Sequence, residues 1–259
     1  MFSKAELLAQ IKSGLYKSWL AAFATNDSPY VSMKPEYLTT VMLGTSLSEW
    51  LSNRKDGNKY LVRFEEHTTT VATHAFPAIP PPLEEKHVYG RATNLAIKRG
   101  VLKEGEAKAE RGAVDFVIYK NNAITHETLA VFEIKNFDRS DELLCADIER
   151  NLEFMELSDL AKQNGIKFGV LTFFLHDKDS MTKEQAIDFI NRARQRYADL
   201  VAPYGRERIE CTLALDTLTN FPSLSNAQAI EEDDDGRQAI ETEENHHIVY
   251  GVVVLERME

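Results

Sequence analysis

GAVDFVIYKNNAITHETLAVFEIK, residues 112–135, is the stretch on which the reading of this chain turns. Two apolar runs are each interrupted by charge: Asp115 in the first, Glu133 and Lys135 in the second. Successive side chains of a strand point to opposite faces, so Leu129, Val131, Glu133 and Lys135 share one face, and Ala113, Asp115, Val117 and Tyr119 share one in the preceding strand. An antiparallel hairpin closing at about residue 124 pairs positions whose numbers sum to about 248, which sets Asp115 opposite Glu133 with Lys135 next along. The plain alternative is a solvated hairpin edge.

Two carboxylates directly opposite each other repel, an arrangement a structural sheet tends to avoid. A divalent cation removes that penalty. Two acids, with water and a substrate phosphate completing the shell, form the hard oxygen set that suits Mg²⁺, with Mn²⁺ as a substitute. Such an ion polarises a phosphoryl oxygen and lowers the pKa of bound water, while a neighbouring lysine orients or deprotonates that water and stabilises developing negative charge. The chemistry favoured is phosphodiester hydrolysis.

Around this stretch the chain alternates helices and strands. Apolar residues at Leu7, Leu8, Ile11, Leu15, Trp19 and Leu20 predict an amphipathic helix over 3–23. Pro35 suits a first helical position, and Leu38, Val41, Met42, Leu47, Trp50 and Leu51 continue a second helix. Residues 59–65 alternate as a strand, and FPAIPPP at 76–82 is an extended connection. Asp138, Arg139 and Ser140 offer turn and cap residues for a long helix over 140–163. The continuous apolar run IKFGVLTFFL at 166–175 predicts a central strand covered on both faces. A helix over 180–200 and strands over 209–215 and 248–255 complete an α/β pattern, read as a mixed sheet flanked by helices in one domain spanning 1–259.

The acid, the Glu-x-Lys and their order resemble the PD-(D/E)XK nuclease superfamily, over residues 34–175. That superfamily places an acid on one strand and Glu-x-Lys on the next; here the motif reads Asp115, then Glu133-Ile134-Lys135, with seventeen residues between the acids. Val114 stands where the family often has proline, a position that is not a ligand. The resemblance implies a restriction-endonuclease-like fold and a Mg²⁺-dependent endonuclease acting on DNA, plausibly in restriction or anti-phage defence, with RNA as another substrate. It also implies metal ligation by Asp115, Glu133 and the backbone carbonyl of Ile134. Glu36, on the preceding helix, becomes a further acid of the site, with Glu49 as runner-up and an ordinary first-turn acid as the bland reading. Asp147, Arg150 and Asn151 lie one turn apart on the following helix. They are read as solvated helix surface, with a role facing the site as the alternative.

Composition constrains partners. The net charge of −11 opposes binding to phosphates, yet Glu231–Glu244 alone carries eight acids against Arg237 and is read as a solvated, mobile loop. The most basic stretch is 91–111, so a DNA footprint is expected at Lys98, Arg99, Lys103, Lys108 and Arg111. Cys145 and Cys211 are too few for a disulfide framework or thiolate cage. The histidines lack H-x-x-x-H spacing, and His246-His247 are read as loop surface; P-loop, G-x-G-x-x-G and G-x-S-x-G motifs are absent. No apolar run approaches the ~20 residues of a membrane span, and the charged start lacks a signal peptide's apolar stretch, so a cytoplasmic chain is expected. A homodimer is reasonable for cutting both strands of a duplex. The competing function is a non-catalytic or partner-activated module that kept a nuclease-like fold.

Overall fold

The apolar run at 166–175 becomes the middle of the sheet. A computed structural model of the chain describes residues 2–25, 35–67, 70–71, 113–121, 126–137, 140–159, 166–176, 183–217, 228–232, 238–242 and 248–258. Its strands are β1 (Tyr60–His67), β2 (Ala113–Asn121), β3 (His126–Phe137), β4 (Phe168–His176), β5 (Ile209–Thr217), β6 (Gln228–Glu232), β7 (Gln238–Thr242) and β8 (Ile248–Arg257). Its main helices are α1 (Lys4–Thr25), α2 (Pro35–Ser52), α3 (Asp141–Asp159) and α4 (Lys183–Val201). The principal sheet has six strands in the order β1-β2-β3-β4-β8-β5. β3 and β4 run parallel, with α3 between them in the chain, and the other neighbours run antiparallel. The protein is therefore a mixed α/β structure; β5 and β8 continue the sheet beyond the 34–175 segment, and α4 packs on it.

Alternation along β4 decides the layers. Phe168, Val170 and Phe174 join a core with Leu7, Ile11, Leu15 and Trp19 of α1 and Leu43, Leu47 and Leu51 of α2. Leu171, Phe173 and Leu175 join the opposite core with Leu144, Ile148, Leu152 and Met155 of α3 and Ile190, Ala193 and Tyr197 of α4. The i, i+4 row of α1 is the expected one. In α2 the fully buried row is 43/47/51, whereas Val41 and Met42 are half-buried. The reason is local: α2 must lie against both α1 and the sheet, and Gly14 lets α1 approach so closely that an added Cβ would sit 2.5 Å from Leu43 Cδ1.

Helix starts follow their caps. Ser3 Oγ accepts the Glu6 amide at 3.2 Å while Glu6 Oε2 accepts the Ser3 amide at 2.8 Å, a reciprocal capping box at the start of α1. Ser140 Oγ accepts the Leu143 amide at 3.4 Å at the start of α3. The acidic run departs from expectation. Residues 228–232 pair with 238–242 as a separate two-stranded hairpin, so part of 231–244 is strand rather than loop. The register runs from Gln228↔Thr242 through Ile230↔Ile240 to Glu232↔Gln238. No helix among the described residues is long and apolar enough to cross a membrane.

Close packing at the sheet centre generates a stability prediction. Gly251 faces Phe173 across the β4–β8 ladder, and a Cβ there would lie 2.1 Å from the Phe173 ring. Gly251→Ala should lower stability by about 1–3 kcal/mol through overpacking. Gly205→Ala is the control: Gly205 has an ordinary φ of −64° and nothing closer than 3.9 Å to an added Cβ, so it should be neutral or slightly stabilising. Urea midpoints of the two variants read the contrast; equal midpoints would contradict this packing.

Candidate active site

β2 and β3 pair as Phe116↔Phe132, Val117↔Val131 and Ile118↔Ala130, then shift by one residue to Tyr119↔Thr128 and on to Asn121↔His126. The first three pairs each sum to the expected 248. The ladder to β3 stops at Phe116, whereas the ladder to β1 continues through Val114 and Ala113, so β2 leaves β3 to follow β1. The strands fork there. Asp115 stands at the fork, and its Oδ2 accepts the Ile134 amide at 2.6 Å, replacing the strand partner that Ile134 has lost on that side. Glu65 of β1 has a φ of 50°, and its neighbours pair as Phe64↔Phe116 and Glu66↔Val114, which puts this strained residue level with Asp115.

Glu133 is the buried charge of the site, 2% exposed. Its Oε2 lies 3.2 Å from Lys135 Nζ, and its Oε1 lies 2.9 Å from an Arg150 terminal nitrogen. The Arg150 approach is within ion-pair distance but off the line that a hydrogen bond needs, so Glu133 Oε1 keeps no hydrogen-bond partner among the described residues. Arg150 also donates a hydrogen bond to Asp147 Oδ1, and Asp147 Oδ2 lies 3.6 Å from Lys135 Nζ. Glu133, Arg150, Asp147 and Lys135 thus close a ring of alternating charge. Two cations and two anions leave the ring neutral.

The structure corrects the reading of α3. Asp147 is 9% exposed and Asn151 is 1% exposed, neither of them solvated surface. Asn151 Nδ2 donates to the Val170 carbonyl at 3.3 Å and ties α3 to β4. The signal was present in the sequence. An apolar stripe through Leu144, Ile148, Leu152 and Met155 makes 147 and 151 positions of the same face, and polar residues at core positions of an amphipathic helix need partners beneath them. Arg150 reaches the same site from the edge of that stripe.

Burial pushes the Glu133 carboxyl up to about 7, with Asp115 and Asp147 adding to the rise and Arg150 and Lys135 opposing it. Asp115 is also raised, first by burial, against the Ile134 amide and Lys135, with Glu36 contributing to the rise. Burial works against the Lys135 ammonium, yet Glu133, Asp147 and Asp115 together hold it above the usual lysine value. Half-buried Glu36, in the first turn of α2, is therefore close enough to act on Asp115 electrostatically. Glu49 is exposed and about 20 Å further along the same helix, by the 1.5 Å rise per residue.

The site thus brings together Asp115, Glu133, Lys135 and Glu36 with the Ile134 backbone. Lys98, Arg99, Lys103, Lys108 and Arg111 lie outside the described residues, as do the proline-rich segment and His246-His247. Among the described residues no three His, Cys, Asp or Glu side chains form a ready-made metal cage. The donor chemistry nevertheless suits a hard cation: a buried Glu133 carboxylate oxygen that lacks a hydrogen bond and the carboxylate of Asp115 flank the Ile134 backbone. No family model, curated protein or solved structure matches the chain.

The raised Glu133 carboxyl has a signed consequence for stability. The folded state binds this proton more tightly than the unfolded state, so stability is favoured at low pH and is lost as pH rises from about 4.5 toward about 7. Glu133→Gln should flatten that part of the profile. In EDTA, the difference between the unaltered protein and the variant should change by up to about 3 kcal/mol across the window. Parallel denaturation profiles from pH 4.5 to 8 would show that burial does not control Glu133.

Proposed function

We propose that this protein is a metal-dependent nuclease that hydrolyses phosphodiester bonds of DNA, built on a restriction-endonuclease-like core. The observation that carries the reading is the register Phe116↔Phe132, which brings Asp115 to the fork beside Glu133 and Lys135, with Asp115 Oδ2 accepting the Ile134 amide. Asp115, Glu133 and the Ile134 carbonyl would hold Mg²⁺, or Mn²⁺ in its place, whose chemistry is to polarise a phosphoryl oxygen and acidify bound water. Lys135, held protonated by its three acids, orients the attacking water and stabilises charge on the phosphate. Glu36 adds negative charge beside Asp115 and favours a cation there. With the ring neutral, the residual charge of the site is that of Asp115 and Glu36, two negative charges facing a divalent partner.

A specific observation also favours the second reading, a partner-activated or non-catalytic nuclease-like module. Both Glu133 oxygens are already approached by cations of the protein, so the site is electrostatically satisfied without metal. The two readings separate in one assay. Purified protein is incubated with supercoiled plasmid, single-stranded DNA and RNA in Mg²⁺, Mn²⁺ and EDTA. Metal-dependent cutting is expected, falling at least about 100-fold in Glu133→Gln and in Lys135→Ala while circular dichroism stays unchanged. Cutting that persists in both variants would refute the assignment; bound but uncut nucleic acid would favour the module.

A further inference from the structure

The ring of alternating charge makes Glu133 serve two partners. Its Oε2 is tied to Lys135, two residues along the same strand, and these two cannot move apart without disturbing β3. Its Oε1 is approached by Arg150, which comes from a different element, α3, and which has a second carboxylate, Asp147, one helical turn away. The Glu133–Arg150 link is therefore the one that can open without leaving either the guanidinium or the strand unsupported. Oε1 is also the oxygen that lacks a hydrogen bond, so the contact satisfies charge without satisfying geometry. Arg150 Nε likewise has no hydrogen-bond partner among the described residues, and the Arg150 side chain is 34% exposed.

We infer that Arg150 is a built-in counter-ion that occupies Glu133 in the metal-free protein and must release it before Glu133 can ligate a divalent cation. The inference deepens the proposed function and rests on it for the identity of the cation. Arg150 is here a positioning residue: it holds Glu133 Oε1 from α3 while Asp147 holds its other side, and it sets the threshold of cation concentration at which the site assembles. On release it remains paired with Asp147, so opening the ring costs one ion pair and strands no charge.

Mn²⁺ binding by isothermal titration calorimetry at pH 8, without nucleic acid, tests this directly. Arg150→Gln should bind Mn²⁺ roughly tenfold more tightly than the unaltered protein, the size of an ordinary coupling between sites. Asp115→Asn and Glu133→Gln should each weaken binding. Arg150→Lys keeps the ring neutral but has a shorter reach to Glu133, and should fall between; it carries the test if Arg150→Gln does not fold. Equal or weaker binding in Arg150→Gln and Arg150→Lys, with Asp115→Asn still weakening it, would overturn the counter-ion role and place the cation on Asp115 and Glu36 while leaving the nuclease reading standing. Absence of Mn²⁺ binding in every protein would overturn both.

Discussion

A carboxylate that is 2% exposed on an inner strand sets the terms for everything near it. Moving an ion of that size out of water costs several kcal/mol even after relaxation, and it is tolerated only with opposite charge close by. Glu133 obtains that charge from Lys135 on its own strand and from Arg150 on α3. Each cation then needs a second anion to hold it at this depth, and Asp147 serves both. Two of the four charges, Asp147 and Arg150, come from α3, which packs on β4 and β8. The helix therefore has to dock with its polar residues inward, and Asn151 secures that orientation by donating to the Val170 carbonyl.

The fork between β2 and β3 is the second consequence of the same arrangement. A continuous ladder would give Ile134 a backbone partner in β2 and would close the sheet over its carbonyl. Instead β2 follows β1, and the Asp115 side chain takes over the Ile134 amide at 2.6 Å. The divergence coincides with strain: Glu65, level with Asp115, adopts a left-handed backbone conformation that costs a non-glycine residue of order 1 kcal/mol. Such strain persists where the surroundings over-determine the backbone, and here the Phe64–Phe116 and Phe116–Phe132 ring contacts fix the strands on one side of it. The aromatic stack holds the sheet together immediately before the point where it opens.

How much of this could be read from the sequence differs by element, for physical reasons. The register of β2 and β3 was legible because alternation has a period of two and one hairpin closure fixes every pair; the bulge at Ile118/Tyr119 lies between the turn and the charges and leaves the inner pairs at the expected sum. The central position of β4 was legible because only a strand covered on both faces is apolar at every position. The role of α3 was misread because Asp147, Arg150 and Asn151 look like ordinary surface residues unless the width of the apolar stripe is counted. The β6–β7 hairpin was hidden by the acids that crowd 231–244. The buried row of α2 shifted to 43/47/51 because the close approach of α1 at Gly14 is a property of two helices together and of neither sequence alone.

The balance of charge explains how one site supports two functional readings without contradiction. The ring of Glu133, Arg150, Asp147 and Lys135 is neutral, which makes the fold self-sufficient in the absence of any cation. Asp115 and Glu36 stand outside it; the Asp115 carboxyl is raised first by burial, and the charge of Glu36 adds to the rise. A fold stabilised only for its own sake would gain by replacing one of this pair with a neutral residue, because removing a like-charge neighbour lowers the cost of burying the other. Retaining both beside the fork is an electrostatic cost that a divalent cation would offset. The ring gives the buried Glu133 its counter-charges, and the like-charged neighbours beside it argue for chemistry.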